Sequence, residues 1–534
     1  MNDRSTGGPR ITVRGHCPRG SEATVRAALA GAPADAASVA ALADLPGHFA
    51  VTAEYPDRDL VLVSRSGAVA HFYDTRAPRA QGACLADVLA AAGREPRWNA
   101  EAVADHLVHG HPLGDATLDA DVRRVPAGAV VTLPHDAPAL LTPPAATRPA
   151  DAPASPTDTA HLALTALRTA VRAAADVPCA LSMSGGLDAR LLLAALLADG
   201  IRPRLLISGV PGSFDRTVAL AIARDFGLPH QVHTVAPGPL VAGAERTARA
   251  TDGLLPLSNW AGMAHVAEDA GTEPVLFGYH GELARAHHLP AIGRRAWPLS
   301  VRPAPEAPRY LLAAGGGDPF LPTEHHRLAD DLREALRPQA LEERIRSAIS
   351  RAVDPDPDSD AGRGTLLAAT EAFFRTQYGQ RKIAVNLAAI GTCARWRVPL
   401  LDPHWSDAVQ RLPRHWKLGD RWHRWATDRL HPALLRYPEE RYGPTTSRRP
   451  PPRYWLRGPC PPDTPFYADQ VPLRTESPLM AELARVDAGG LAPFIDPSLV
   501  GQLIREQARS SARPHLSFAL AALAGWCRNP TRTG

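Results

Sequence analysis

With 534 residues, 45% of them apolar and 21% charged, the chain has an ordinary globular composition and the length of two or three domains. Its net charge of +4 comes without long basic runs, so nothing marks a nucleic-acid partner. Cys17, Cys84, Cys179, Cys393, Cys460 and Cys527 are scattered without a C-x-x-C pair, which argues against a zinc ribbon or a disulfide framework. The basic charge is almost all arginine; the only lysines are Lys382 and Lys417. The start MNDRSTGGPRITVRG lacks the apolar core of a signal peptide, and no apolar run could span a bilayer. A soluble, cytoplasmic protein with no membrane partner is expected.

In chain order, ITVRG (11–15), HFAVTAEY (48–55) and LVLVSR (60–65) carry the β-branched clusters of strands. CLADVLAAAG (84–93) and AVADHLVHG (102–110) read as helices, and VRRVPAGAVVTL (122–133) as a strand pair around a turn. The Pro- and Ala-rich stretch 134–157 has no periodic apolar face and reads as a linker. From there strands and helices alternate: helix 161–175, strand 179–183, helix 190–200, strand 204–209, helix 215–227, strand 230–235 and strand 274–282. That alternation predicts a parallel sheet with helices on both faces, followed by a mostly helical stretch from about 325 to 530. The domains expected are 1–140, a linker 141–158, and 159–534.

The segment LSMSGGLDAR (181–190) lies between an apolar strand and an apolar helix. Gly185 and Gly186 let backbone amides approach an anion without a Cβ in the way. The helix that follows turns its unpaired amides to the same place. Ser184 supplies a hydroxyl, and Asp188 can hold a Mg²⁺ bound to phosphate. No lysine follows the glycines, so this is not a Walker loop, nor is it G-x-G-x-x-G.

LSMSGGLDAR is similar to the SGGLDS-type loop of the asparagine synthetase-like ATP pyrophosphatases. LVHGHPLGDATLDADVRRVPAGAVVTL (107–133) resembles the end of that family's N-terminal glutaminase-type domain, FGYHGELARA (277–286) its second Gly-rich acidic loop, and WRVPLLDPHWSDAVQRLP (396–413) its Arg-Val-Pro…Leu-Asp segment. The resemblance implies an α/β protein: a glutaminase-like αββα sandwich, then an adenine-nucleotide α-hydrolase-like parallel sheet with a helical C-terminal half. It implies ATP and Mg²⁺ as cofactors. Ser184, Gly185, Gly186, Asp188, Ser208, Gly278 and Gly281 would bind ATP and pyrophosphate, with Asp188 and Glu282 at the metal. On its own chemistry too, a carboxylate after a Gly turn at a strand end is well placed for Mg²⁺, with a solvated loop acid as the alternative reading of Glu282.

The sequence departs from the family at four places. Glutamine-dependent members use a cysteine exposed by removal of Met, whereas residue 2 here is Asn2 and Cys17 is internal. The first domain is therefore expected to lack the nucleophile and serve as scaffold or recognition module. Ala189 replaces the loop's last serine, a change expected to weaken pyrophosphate binding by about 1–3 kcal/mol at most. Arg395 stands where the family often has Glu. The late catalytic lysine should fall in RYPEERYG (436–443), which has none. Arg441 could stabilise the charge on departing AMP but could not act as a base; Lys382 is the other cationic candidate, and each also reads as a surface cation.

His106, His109 and His111 read as a solvated or half-buried cluster, and Trp416, Trp422 and Trp425 as core. With no glutaminase, the amine is expected to come from the substrate. Macrolactam synthetases of lasso peptides and β-lactam synthetases are relatives that work this way, and the lasso cyclase is the closer resemblance. It implies a peptide or small-molecule carboxylate substrate, with a leader-peptide-binding protein and a leader peptidase as partners. An asparagine synthetase-type ligase and a catalytically weak nucleotide-binding scaffold are the alternatives.

Overall fold

The computed structural model describes residues 8–30, 36–77, 79–144, 155–209, 211, 214–234, 246–256, 266, 269, 271–286, 288–289, 296–315, 319–352, 364–439, 443–444, 487–510 and 514–527. In chain order the strands of the first region are β1 (Arg10–His16), β2 (His48–Glu54), β3 (Arg58–Val63), β4 (Phe72–Asp74), β5 (Gln81–Gly82), β6 (Val122–Arg124), β7 (Val130–Pro134) and β8 (Leu140–Thr142). They form two antiparallel sheets, ordered β1-β2-β3-β7-β8 and β5-β4-β6. The Pro-rich stretch read as a linker begins at the end of β7, contains β8, which pairs with β7, and ends in the first turn of the helix Pro156–Ala174; residues 145–154 of it lie outside the described residues.

The alternation of side chains along these strands makes the layers. Phe49, Val51, Ala53, Leu60 and Leu62 face Val25 and Leu29 of the helix Arg19–Ala30. Ala50, Val61, Val63, Val131 and Leu133 face the other way, onto Tyr73 of the second sheet. The helix Leu85–Ala92 packs on that sheet from outside. The result is the expected helix–sheet–sheet–helix order.

The second region holds β9 (Ala180–Ser182), β10 (Arg204–Ser208), β11 (His230–His233), β12 (Val275–Leu276) and β13 (Trp396–Arg397). All are parallel, in the order β11-β10-β9-β12-β13. Chain direction across the sheet reverses between β9 and β12. Such a switch point leaves a crevice beyond the carboxyl ends of the two strands, where α/β sheets bind ligands. Leu181, Leu205, Ile207 and Leu276 join the cluster that also buries Trp405, Trp422 and Trp425, so Trp422 and Trp425 are core as expected, while Trp416 is partly buried against it.

The described residues beyond 296 are predominantly helical. Its helices Pro338–Ala352, Pro497–Ser510 and Pro514–Cys527 share one apolar cluster with Leu85, Val88, Leu89 and Val103 of the first region. Ion pairs add to the contact: Arg344 Nε stands 2.7 Å from Asp105 Oδ1, and Arg65 Nη2 stands 2.7 Å from Asp407 Oδ2. Among the described residues no helix is long and apolar enough to cross a membrane.

A nine-residue π-helix, Phe374–Lys382, joins the helices Leu366–Phe373 and Ile383–Gly391. Gln377 Oε1 accepts the Gly114 amide at 2.9 Å, and Gln380 Nε2 donates to the Arg65 carbonyl at 3.1 Å. Phe374 stacks on His280 at 5.6 Å and on Tyr378 at 4.4 Å. The wide turn thus touches the first region on one side and the loop after β12 on the other. Wide turns of this kind are frequent at functional sites.

Candidate active site

The loops at the switch point are Ser184–Asp188 after β9 and Gly278–Glu282 after β12. Gly186 is the N-cap of the helix Leu187–Ala198, whose first amides receive no capping side chain. A helix start left open in this way favours an anion. Ser184 Oγ accepts the Gly186 amide at 3.1 Å and braces the turn. The Gly185 amide donates at 2.9 Å to Asp215 Oδ1, at the start of the next helix. A carboxylate oxygen therefore already sits on a loop amide, where the proposed ligand would place a phosphate oxygen.

The second loop fits against the first only because it has glycines. A Cβ at Gly281 would lie 2.2 Å from Asp188 Oδ1, and one at Gly278 would lie 3.2 Å from the Ala189 nitrogen. His280 between them adopts φ +76°, and the backbone then turns into a short helix, Gly281–Arg285. That turn carries Glu282 inward, and its Oε2 is buried without a hydrogen-bond partner. Burial, then the nearby Asp188, raises its pKa well above the ordinary range. The alternative of a solvated loop acid does not fit this burial.

Asp188 has two basic side chains against it. Arg285 Nη1 stands 3.1 Å from Asp188 Oδ2, while Arg285 Nε donates to Asp420 Oδ1 at 2.8 Å. His423 Nε2 lies 2.8 Å from Asp188 Oδ1. Burial works against the ionised form of Asp420, but Arg285 holds its pKa low. Arg285, Asp420 and His423 were missed in the sequence, as was Asp215. Arg285 lies within FGYHGELARA and could have been found there. Asp420 and His423 are hidden among the tryptophans of HWKLGDRWHRW, where packing is the stronger signal.

Among the described residues no cluster of three or more metal-ligating side chains occurs, and a divalent cation would have two carboxylates to call on. Glu282 offers a buried oxygen with no hydrogen-bond partner beside the carboxylate of Asp188, a hard-oxygen pair suited to Mg²⁺. Arg285 and His423 already engage Asp188, so a cation there would share that carboxylate with them.

The other expected residues divide. Ser208 ends β10, in register with His233 of the neighbouring strand. Ala189 is buried in the apolar cluster under the loop. Lys382 is not a surface cation: burial lowers its pKa. Its Nζ lies 5.6 Å from the Tyr378 ring centroid, and a Cβ at Gly110 would lie 3.5 Å from it. It thus faces the first region, with the stack of Phe374 and Tyr378 next to His280. His106 and His111, expected to be solvated or half-buried, are buried beside it. Arg441 lies outside the described residues. The residues just before it are anchored: Arg190, two positions after Asp188, donates to the Tyr437 carbonyl at 3.1 Å and to that of Pro438.

Cys17 follows β1 and its side chain is half-buried. Burial pushes its thiol up to about 12, the reverse of what a nucleophilic thiolate needs.

Comparison with protein families matches residues 163–440 to asparagine synthase. That stretch is more than half of the chain and contains both Gly-rich loops, the parallel sheet and Asp420 with His423. No curated protein matches the chain. The order of the strands, the two facing loops and the extent of the match lead to one assignment: the chain belongs to the asparagine synthase family, whose chemistry is ATP-dependent amide ligation.

Proposed function

We propose that the chain is a macrolactam synthetase of the lasso-peptide type. It would close a ring between a peptide's N-terminal amine and an Asp or Glu side chain, through an acyl-adenylate. The observation that carries the reading is the half-buried thiol of Cys17, held protonated by its surroundings, in a chain that keeps two facing Gly-rich loops. A first domain without an activated thiol supplies no ammonia from glutamine, which supports an amine already present on the substrate.

In the first step the substrate carboxylate attacks the α-phosphorus of ATP, and the bond to the β-phosphate oxygen breaks, releasing pyrophosphate. The open amides at Leu187–Asp188 and the Gly185 amide would hold the phosphate oxygens. Ser184 braces the turn, and Ser208, at the end of β10, would lie near the nucleoside. A bound Mg²⁺ supplies charge neutralisation on the phosphates, and Asp188 and Glu282 are the residues that would hold it. In the second step the amine attacks the acyl carbon, loses a proton and expels AMP. Arg441 would offset the charge on departing AMP, and Lys382 would contribute positive charge from the far side of the Phe374–Tyr378 stack. A leader-peptide-binding protein and a leader peptidase would deliver the peptide.

The test is ATP–pyrophosphate exchange with a peptide whose acidic residue lies a ring's length from its N-terminus, coupled to mass spectrometry. Peptide-dependent exchange and a product lighter by one water are expected. Exchange with a small β-amino-acid carboxylate alone would move the assignment to β-lactam synthesis. ATP binding without exchange for any carboxylate would replace the ligase with a nucleotide-binding scaffold.

A further inference from the structure

A second cavity lies away from the nucleotide loops, where β6 of the first region meets the π-helix and its successor. Its volume is about 60 Å³. One water needs roughly 10–15 Å³ by a comparable measure, so there is room for roughly four to six non-hydrogen atoms. Much of the wall is apolar, including Phe72, Leu85, Val385 and Ala388. Two guanidinium groups line it as well, Arg124 from β6 and Arg381 from the π-helix, and both are buried.

Neither arginine forms a direct ion pair with a carboxylate among the described residues. Arg124 donates from Nη2 to the Gly67 carbonyl at 2.5 Å, and Arg381 from Nη2 to the Ala116 carbonyl at 2.7 Å and the Pro112 carbonyl at 3.5 Å. Each guanidinium carries five N–H donors, and only those on one nitrogen are used. Two buried like charges without a direct ion pair are costly; Asp115 and Asp105 offset Arg381 in part from a distance, while Arg381 lowers the pKa of Arg124, adding to the larger effect of burial. His111 also lines the cavity, buried, with Nδ1 unpartnered. The carboxyl among the lining residues, Asp252, accepts the Leu85 amide at 2.9 Å, and burial raises its pKa to about 7.

We infer that this cavity binds a small organic carboxylate, its head between Arg124 and Arg381 and its short apolar tail along Phe72, Leu85 and Val385. The guanidinium fork matches a carboxylate, while the size and the apolar wall favour a tail of a few carbons over a bare inorganic ion. Because one arginine comes from each region, the ligand would link the two.

The test uses the full chain and butyrate, read by calorimetry and thermal melting, with butanol and chloride as controls. Saturable butyrate binding with a Kd of about 1 mM or below is expected, with a rise in Tm that neither control reproduces. Arg124→Met should melt no lower than wild type without ligand, since it removes an uncompensated buried charge, yet lose at least tenfold in butyrate affinity. Val385→Trp should fill the cavity and abolish binding with both arginines in place. An equal rise in Tm with chloride, no saturable binding to wild type, or unchanged butyrate affinity in both variants would each overturn the inference.

Discussion

Gly281 and Asp188 close on each other so tightly that a Cβ on the glycine would stand 2.2 Å from the carboxylate oxygen. The contact joins the two nucleotide loops across the switch point between β9 and β12. Gly281→Ala must push the second loop off Asp188 or turn the carboxylate away from Arg285 and His423. Overpacking of this kind costs about 1–3 kcal/mol. Pyrophosphate exchange should fall at least tenfold while the protein remains folded. A variant with wild-type exchange would show that the loops need not touch.

Asp215 holds the Gly185 amide at 2.9 Å and brings a negative charge to a place proposed for phosphate. Asp215→Ala should release that amide and tighten inhibition by pyrophosphate roughly tenfold, about 1.4 kcal/mol. Titration of inhibition in the exchange assay checks this. Weaker inhibition would instead make Asp215 a support for the loop's bound shape.

Lys417, the other lysine of the chain, is fully buried with its Nζ 2.7 Å from Glu371 Oε1. Lys417→Met leaves Glu371 without its ammonium and should cost about 3–5 kcal/mol. Lys417→Met combined with Glu371→Leu should recover most of that loss. Chemical denaturation of the single and double variants decides it: a double variant no more stable than the single would mean that Lys417 stabilises by other contacts.

Six histidines of the first region are held neutral by burial. The pKa values of His16, His48, His71 and His109 are lowered to about 3, that of His106 to about 4, and that of His111 well below the ordinary value. His71 Nδ1 even meets Arg14 Nη2 at 2.7 Å, a contact suited to a neutral ring. Because the folded pKa values are depressed, unfolding takes up protons below about pH 6.5. Stability from these groups is complete above that pH and is lost as pH falls toward the folded values. The loss is at most about 1.4 kcal/mol per histidine for each pH unit. Tm should therefore drop steeply between about pH 6.5 and pH 5, and less steeply in His48→Gln. A flat Tm over that interval would refute the account.

The sheet and its loops were legible because their signals are local. Apolar runs mark β9, β10 and β12, and the Gly pairs stand where the turns require them. Ser184 through Asp188 could be placed on a strand–loop–helix unit from sequence alone, as could Gly278 through Glu282. Burial could not be read there, and it decided the character of Glu282, Lys382 and the histidines. Each is a polar residue whose neighbours come from distant segments. Asp420 reaches Arg285, and His423 reaches Asp188, only through the packing of the helix Arg421–Leu430 against Leu187–Ala198, a relationship no local pattern encodes.

The π-helix Phe374–Lys382 sets the rotational phase between two surfaces. Within it, Phe374 and Tyr378 stack in line with His280, while Gln377, Gln380 and Arg381 grip backbone of the first region. An ordinary helix turns about 100° per residue, and the wider turn alters that count. Removing a single residue here would let the helix regularise and swing Arg381 and Lys382 away from their present partners. The nucleotide loops would keep their own sequence, yet the first region would lose its register against them.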